Sequence, residues 1–125
     1  EKAGLPNVRQ EGISDLASGE RKIGGACIYR TKGLLYYTTT LLFQPNIALV
    51  ERYLKHPPRE PDYRAGRAHG AFLGSLADSL PHHNIESFTK QIDQILDGTV
   101  ETLLEVNGPL NYQLVHKTNR QEAMT

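Results

Sequence analysis

A single cysteine, Cys27, leaves no partner for an internal disulfide. A reducing, cytoplasmic setting is therefore the expectation. Charge of one sign is also missing, since Lys plus Arg number 14 and Asp plus Glu number 14. The lack of a basic surplus to neutralise phosphates argues against a dedicated nucleic-acid binder. No apolar run reaches the length of a membrane span. The opening residues Glu1-Lys2-Ala3-Gly4 lack the features of a secretory signal. The five histidines show no metal-ligand spacing, and there is no internal repeat.

What is present suffices for one domain with one modest core. Hydrophobic residues make up 38%, which is low, yet Leu, Ile and Val cluster. Three strands are predicted at 13–16, 21–30 and 34–43, with a turn at Ser18-Gly19. Thr31-Lys32-Gly33 reads as a three-residue hairpin loop, Gly33 supplying a positive φ. Pro45-Asn46 opens a short helix with Ile47, Val50 and Leu54 on one face, and His56-Pro57-Pro58 ends it. Residues 57–69 form a polar loop carrying Arg59, Glu60, Asp62, Arg64 and Arg67. The apolar stretch 71–80 fits either strand or helix.

Asn84 is placed to cap a longer helix. Its expected buried stripe is Ile85, Phe88, Ile92, Ile95, Leu96, Val100, Leu103 and Leu104. Gly98 interrupts that helix and Gly108-Pro109 stops it. Residues 110–115 read as a last strand and 117–125 as a flexible tail. Strands, helix, loop and helix in this order predict an α+β fold, a mixed or antiparallel sheet packed with helices.

The second strand carries the chemistry. It reads Arg21-Lys22-Ile23-Gly24-Gly25-Ala26-Cys27-Ile28-Tyr29-Arg30. Strict alternation places Lys22, Gly24 and Ala26 on one face and Ile23, Cys27 and Tyr29 on a core face. Lys22 then stands over a floor almost without side chains. Glycine inside a strand marks close approach of a ligand or of another backbone. A lysine there could hold an anionic or carbonyl oxygen, but spacing alone favours a solvent-facing lysine beside a β-bulge.

The segments Gly12-Ile13-Ser14-Asp15-Leu16 and Gly19-Glu20-Arg21-Lys22-Ile23-Gly24-Gly25-Ala26 resemble the lipoate–protein ligase family. That family, within the biotin/lipoate ligase fold, carries Asn/Ser-Asp-Leu followed by Arg-Lys-Val/Ile-Ser/Gly-Gly-Ser/Asn-Ala. Tyr53-Leu54-Lys55-His56-Pro57 and Pro61-Asp62-Tyr63-Arg64 are also similar to a branch of it. The resemblance covers roughly residues 11–80 and, more loosely, the helix after them.

It implies a two-step reaction. Lipoate and ATP, with Mg²⁺, give lipoyl-AMP and pyrophosphate; a lysine of a lipoyl-domain acceptor protein then takes the acyl group. Lys22 matches the family lysine that contacts the acyl carbonyl and the α-phosphate. Asp15 matches the border of the adenine, and Gly24, Gly25 and Ala26 the floor beside the adenylate.

Two departures stand out. The family carries an upstream Arg-Arg-x-Ser-Gly-Gly-Gly segment that residues 1–12 do not resemble. The resemblance therefore implies a partial catalytic domain over 1–125, completed by a companion chain or segment bearing the Gly-rich half, or else lost activity. The family's His-His-Gly run is replaced by Tyr36-Tyr37-Thr38, residues suited to line an acyl pocket but unable to act as imidazoles. Alternatives are an octanoyl or lipoyl transferase that needs no ATP, and a non-catalytic lipoate- or acceptor-binding subunit.

Other candidates are secondary. Cys27, on the expected core face, is read as a packing residue and not as a thioester nucleophile. Arg64 and Arg67 are read as solvated loop charges, with a phosphate or acidic-partner clamp as the sharper alternative. Asp93, Asp97, Glu101 and Glu105 make an acidic, solvated stripe on the last helix.

Overall fold

The computed structural model describes residues 4, 5 and 7–107. The strand expected at 110–115 and the tail at 117–125 lie outside the described residues. Strands β1 (Val8–Glu11), β2 (Asp15–Ser18), β3 (Arg21–Thr31) and β4 (Leu34–Leu41) form one antiparallel sheet in that order. Helices α1 (Ile47–Tyr53), α2 (His69–Phe72), α3 (Leu76–Ser79) and α4 (Ile85–Asn107) follow, with a 3-10 turn at Asp62–Arg64. The architecture is the expected α+β one.

Glycines set the turns. Gly12, Gly19 and Gly33 take φ of 55°, 56° and 73°, values that favour glycine. Strand β1 was not expected, because Val8-Arg9-Gln10-Glu11 is polar and largely exposed. The turn at Gly12 pairs it with β2 through Glu11 and Asp15. Ile13, expected to begin a strand, sits in that turn and is 96% exposed. The β3–β4 loop is shorter than expected, since Thr31 pairs with Leu34 and leaves only Lys32-Gly33 between.

The β2–β3 ladder contains a bulge. Leu16 pairs with Gly24 but Ala17 pairs with Lys22, so Ile23 has no residue opposite it. Ile23 and Gly24 are consequently both buried. Strict alternation therefore fails here. Lys22 shares its side with Gly25, not with Gly24 and Ala26 as expected.

The core gathers Leu5, Ile23, Phe43, Leu76, Leu80 and Phe88, with Leu16, Leu41, Ala77 and Ile92 packed against it. The Phe43 and Phe88 rings lie 5.3 Å apart. Stretch 71–80 resolves into both conformations. Phe72 ends α2, Leu73 bridges Lys22 in parallel, and α3 follows. Leu76 N and Ala77 N donate to the carbonyls of Leu42 and Phe43, which docks α3 against the end of the sheet.

Both caps read from the sequence form. Asn46 Oδ1 accepts from Leu49 N at 3.1 Å. Asn84 Oδ1 accepts from Ser87 N at 2.8 Å, while Ser87 Oγ accepts from Asn84 N at 3.1 Å. The buried stripe of α4 is shorter than expected. Phe88 is buried and Ile92 packs on the core, but Ile85 and Leu96 are exposed. The Leu103 and Leu104 side chains lie outside the described set.

The far half of the β3–β4 hairpin stands clear of this core. Ile28 pairs with Tyr37 and Tyr29 with Tyr36, and all four are exposed. Cys27 is exposed too, which corrects its assignment to the core. The core ends near Gly24, so among the described residues this part of β3 has nothing packed over it.

Candidate functional site

Lys22 is fixed from two sides. Its backbone pairs with Ala17 of β2 on one side and with Leu73 on the other, and its carbonyl accepts from Gly74 N at 2.8 Å. Gly74 packs closely, since a Cβ there would lie 3.0 Å from Arg21 Cβ and 3.2 Å from Ile23 Cγ2. Arg21 ties the same segment down by donating to the carbonyls of Gly70 and Leu73, each at 3.0 Å.

The Lys22 ammonium lies 2.6 Å from Asp15 Oδ1. The second oxygen, Asp15 Oδ2, accepts from the Tyr63 hydroxyl at 2.9 Å. Gly25 forms the floor: a Cβ built on it would meet Asp15 Oδ1 and Lys22 Nζ, each at 3.6 Å. Gly24 is small for a different reason. A Cβ there would sit 2.5 Å from the Thr40 carbonyl oxygen, so β4 and not a ligand makes the close approach. Ala26 N donates to Ser14 O at 2.8 Å, which holds the β1–β2 turn against β3.

Beside Asp15 lies an open cleft of about 540 Å³. Glu11, Gly12, Ile13, Ser14 and Asp15 form one wall and Arg59–Tyr63 the other. Its charged side chains are Glu11, Asp15, Glu60 and Asp62 against Arg59.

The second wall is braced from behind. Arg64 is 4% exposed; its guanidinium stacks 4.7 Å from the Phe72 ring, lies 3.2 Å from Glu60 Oε2, and donates to Arg67 O at 3.0 Å. Arg67 donates to Tyr63 O and Glu20 O, joining the loop to the β2–β3 turn. Arg64 is therefore buried, not the solvated charge expected from the sequence.

Glu60 holds the loop together: His56 Nε2 lies 2.8 Å from Oε2, and Gly66 N donates to Oε1 at 2.7 Å. Desolvation pushes its carboxyl upward. The bonds from Gly66 and His56, with the charges of His56 and Arg64, outweigh that and hold it below the usual glutamate range. Burial, then the bond to Asp15, push the Tyr63 phenol well above the usual tyrosine range. Tyr63 therefore remains a donor.

Of the residues singled out in the sequence, the fold brings Lys22, Asp15, Gly24, Gly25 and Ala26 together. Tyr36 and Tyr37 are not with them. Tyr36 pairs with Tyr29, seven positions along β3 from Lys22, which at about 3.4 Å per residue is more than about 20 Å away. Thr38 lies closer in, where its Oγ1 meets Cys27 Sγ at 2.9 Å. Tyr63, Glu60 and Glu11 were missed as site residues. The charged loop 57–69 and the run Pro61-Asp62-Tyr63-Arg64 were the signals pointing to the second wall.

The sequence matches the family model of the lipoyl protein ligase A/B catalytic domain over residues 1–97. The chain belongs to that family. No curated protein and no solved structure matches it. No described helix is long and apolar enough to cross a membrane.

Proposed function

We propose that the chain carries out lipoate–protein ligase chemistry, with Lys22 as the group that meets the reacting oxygens. The observation that carries this reading is the Lys22 ammonium, held over a glycine floor by Asp15, itself a cleft-lining residue, in a chain of this family. In the first step a lipoate carboxylate oxygen bonds to the α-phosphorus of ATP as the bond to the β-phosphate oxygen breaks and pyrophosphate leaves. In the second, the amine of an acceptor lysine bonds to the acyl carbon, AMP leaves with the anhydride oxygen, and the amine loses a proton. Negative charge grows on the α-phosphate oxygens first and on the acyl carbonyl oxygen next. A preorganised cation beside those oxygens stabilises both transition states more than the ground states.

Glu11, Asp15, Glu60 and Asp62 oppose phosphate charge, and Arg59 is the cleft's own cation. Mg²⁺ accompanying ATP would supply charge neutralisation, carried on the phosphates and completed by cleft carboxylates such as Glu11 or Asp62. Among the described residues no three ligating side chains converge on a protein-only metal site. A companion chain or segment bearing the Gly-rich, arginine-containing half is part of the proposal, because polyphosphate binding calls for more donors than Lys22 and Arg59 provide. A lipoyl-domain protein is the proposed acceptor.

The test is incubation of the chain and its companion with lipoate, ATP, Mg²⁺ and a lipoyl-domain acceptor, followed by mass spectrometry. Lipoylated acceptor together with lipoate-dependent AMP is the expected result. Acylation from a carrier thioester without ATP would assign a transferase instead. Acceptor binding with neither AMP nor acylation would assign a non-catalytic subunit.

A further inference from the structure

We infer that Tyr63 is a positioning residue for Lys22, acting through Asp15. The inference rests on the ligase reading for its catalytic consequence, although the coupling itself is a matter of geometry. Asp15 has both oxygens engaged, Oδ1 by Lys22 at 2.6 Å and Oδ2 by Tyr63 at 2.9 Å. A carboxylate held at both oxygens has its terminal torsion fixed, whereas one held at a single oxygen turns freely in a broad well. The Lys22 ammonium, on four rotatable bonds, takes its direction from that carboxylate.

Tyr63 is well placed for this task. It stands 48 positions from Asp15 in sequence, on the opposite cleft wall. Its ring packs 5.1 Å from Phe72, its carbonyl accepts from Arg67 at 2.7 Å, and it sits in the 3-10 turn. The phenol's raised pKa keeps the proton on the hydroxyl, so the donor persists through neutral and moderately alkaline pH.

The same bond serves turnover. An ammonium carries three donors, so Lys22 can take a substrate oxygen while its bond to Asp15 Oδ1 keeps it in place. As the substrate oxygen draws on the ammonium, the Tyr63 hydroxyl keeps Asp15 Oδ2 satisfied.

The experiment is a double-mutant cycle of Tyr63→Phe and Asp15→Ala, combined with ¹⁵N relaxation of the Lys22 ammonium. In lipoate-dependent ATP–pyrophosphate exchange, Tyr63→Phe should lower kcat about tenfold, the scale of one hydrogen bond to a charged group. KM values should stay within about twofold, and in the Asp15→Ala background the same change should cost less than about twofold. By NMR, Tyr63→Phe should lower the order parameter of the Lys22 ammonium while the backbone spectrum is retained. Additive losses in the cycle, or an unchanged ammonium order parameter in Tyr63→Phe, would overturn the inference. Wild-type protein without lipoate-dependent exchange would sink the ligase reading alone, and the ammonium relaxation would still decide the role of Tyr63.

Discussion

Ile23 has no partner across the β2–β3 ladder, and that bulge turns Lys22 toward Gly25 and into contact with Asp15. The Lys22 and Asp15 side chains keep 29% and 16% of their exposure. Ion pairs that retain contact with water contribute about 0–1 kcal/mol at most to folding. The bulge also buries Ile23 and Gly24 side by side. The bulge thus does two things: it places Ile23 in the core and it orients a cation.

Arg64→Ala should destabilise the fold by about 2–3 kcal/mol. That is below the about 3–5 kcal/mol typical of a broken, fully buried pair, because Glu60 is partly hydrated. Arg64→Lys should recover little, since an ammonium neither stacks flat on Phe72 nor reaches both Glu60 and the Arg67 carbonyl. Urea unfolding midpoints decide it. A change under about 0.5 kcal/mol in Arg64→Ala would show that the second cleft wall does not depend on this side chain.

Cys27 should label stoichiometrically with a thiol reagent in the native state, because its side chain is exposed on the β3–β4 ribbon. Cys27→Ser should leave acyl transfer within a few-fold of wild type. Among the described residues its sulfur meets Thr38 Oγ1 and no histidine or carboxylate that would form a thiolate. Complete loss of turnover with the fold intact would instead point to a thioester mechanism.

The hairpin, both helix caps and the lysine strand were legible in the sequence, since each rests on local chemistry: glycine at a turn, asparagine at a cap, β-rich residues in a run. The bulge was not. It depends on Ile23 and Gly24 both fitting under the core, which no alternation pattern reveals, and so the floor beneath Lys22 was assigned to Gly24 and Ala26 instead of Gly25. Burial of Arg64 was equally hidden, because it requires Phe72 and Glu60 to converge on one guanidinium. Cys27 and Tyr29 were placed in a core by alternation, which gives a face but not whether anything covers it.

Glu60 makes the second wall sensitive to acid. Its pKa in the fold lies below the unfolded value, so its contribution is fully present above ordinary glutamate titration, near pH ~4.3. That contribution is lost as pH falls from there through the lower folded pKa. The protection factor of the Gly66 amide, which donates to Glu60 Oε1, should fall over this window. In Glu60→Gln it should be flat there. A wild-type protection factor that is itself flat would contradict this role.

The most direct measurement is lipoate-dependent ATP–pyrophosphate exchange by Lys22→Ala and Lys22→Arg against wild type, with the companion half present. Loss of one preorganised contact to developing charge typically costs about 10²–10³ in rate. Lys22→Ala should fall by that factor with its melting temperature nearly unchanged, because a partly hydrated ion pair adds little to stability. Lys22→Arg should recover little, since a planar fork does not replace a compact ammonium over Gly25. Exchange at the wild-type rate in Lys22→Ala would contradict the account.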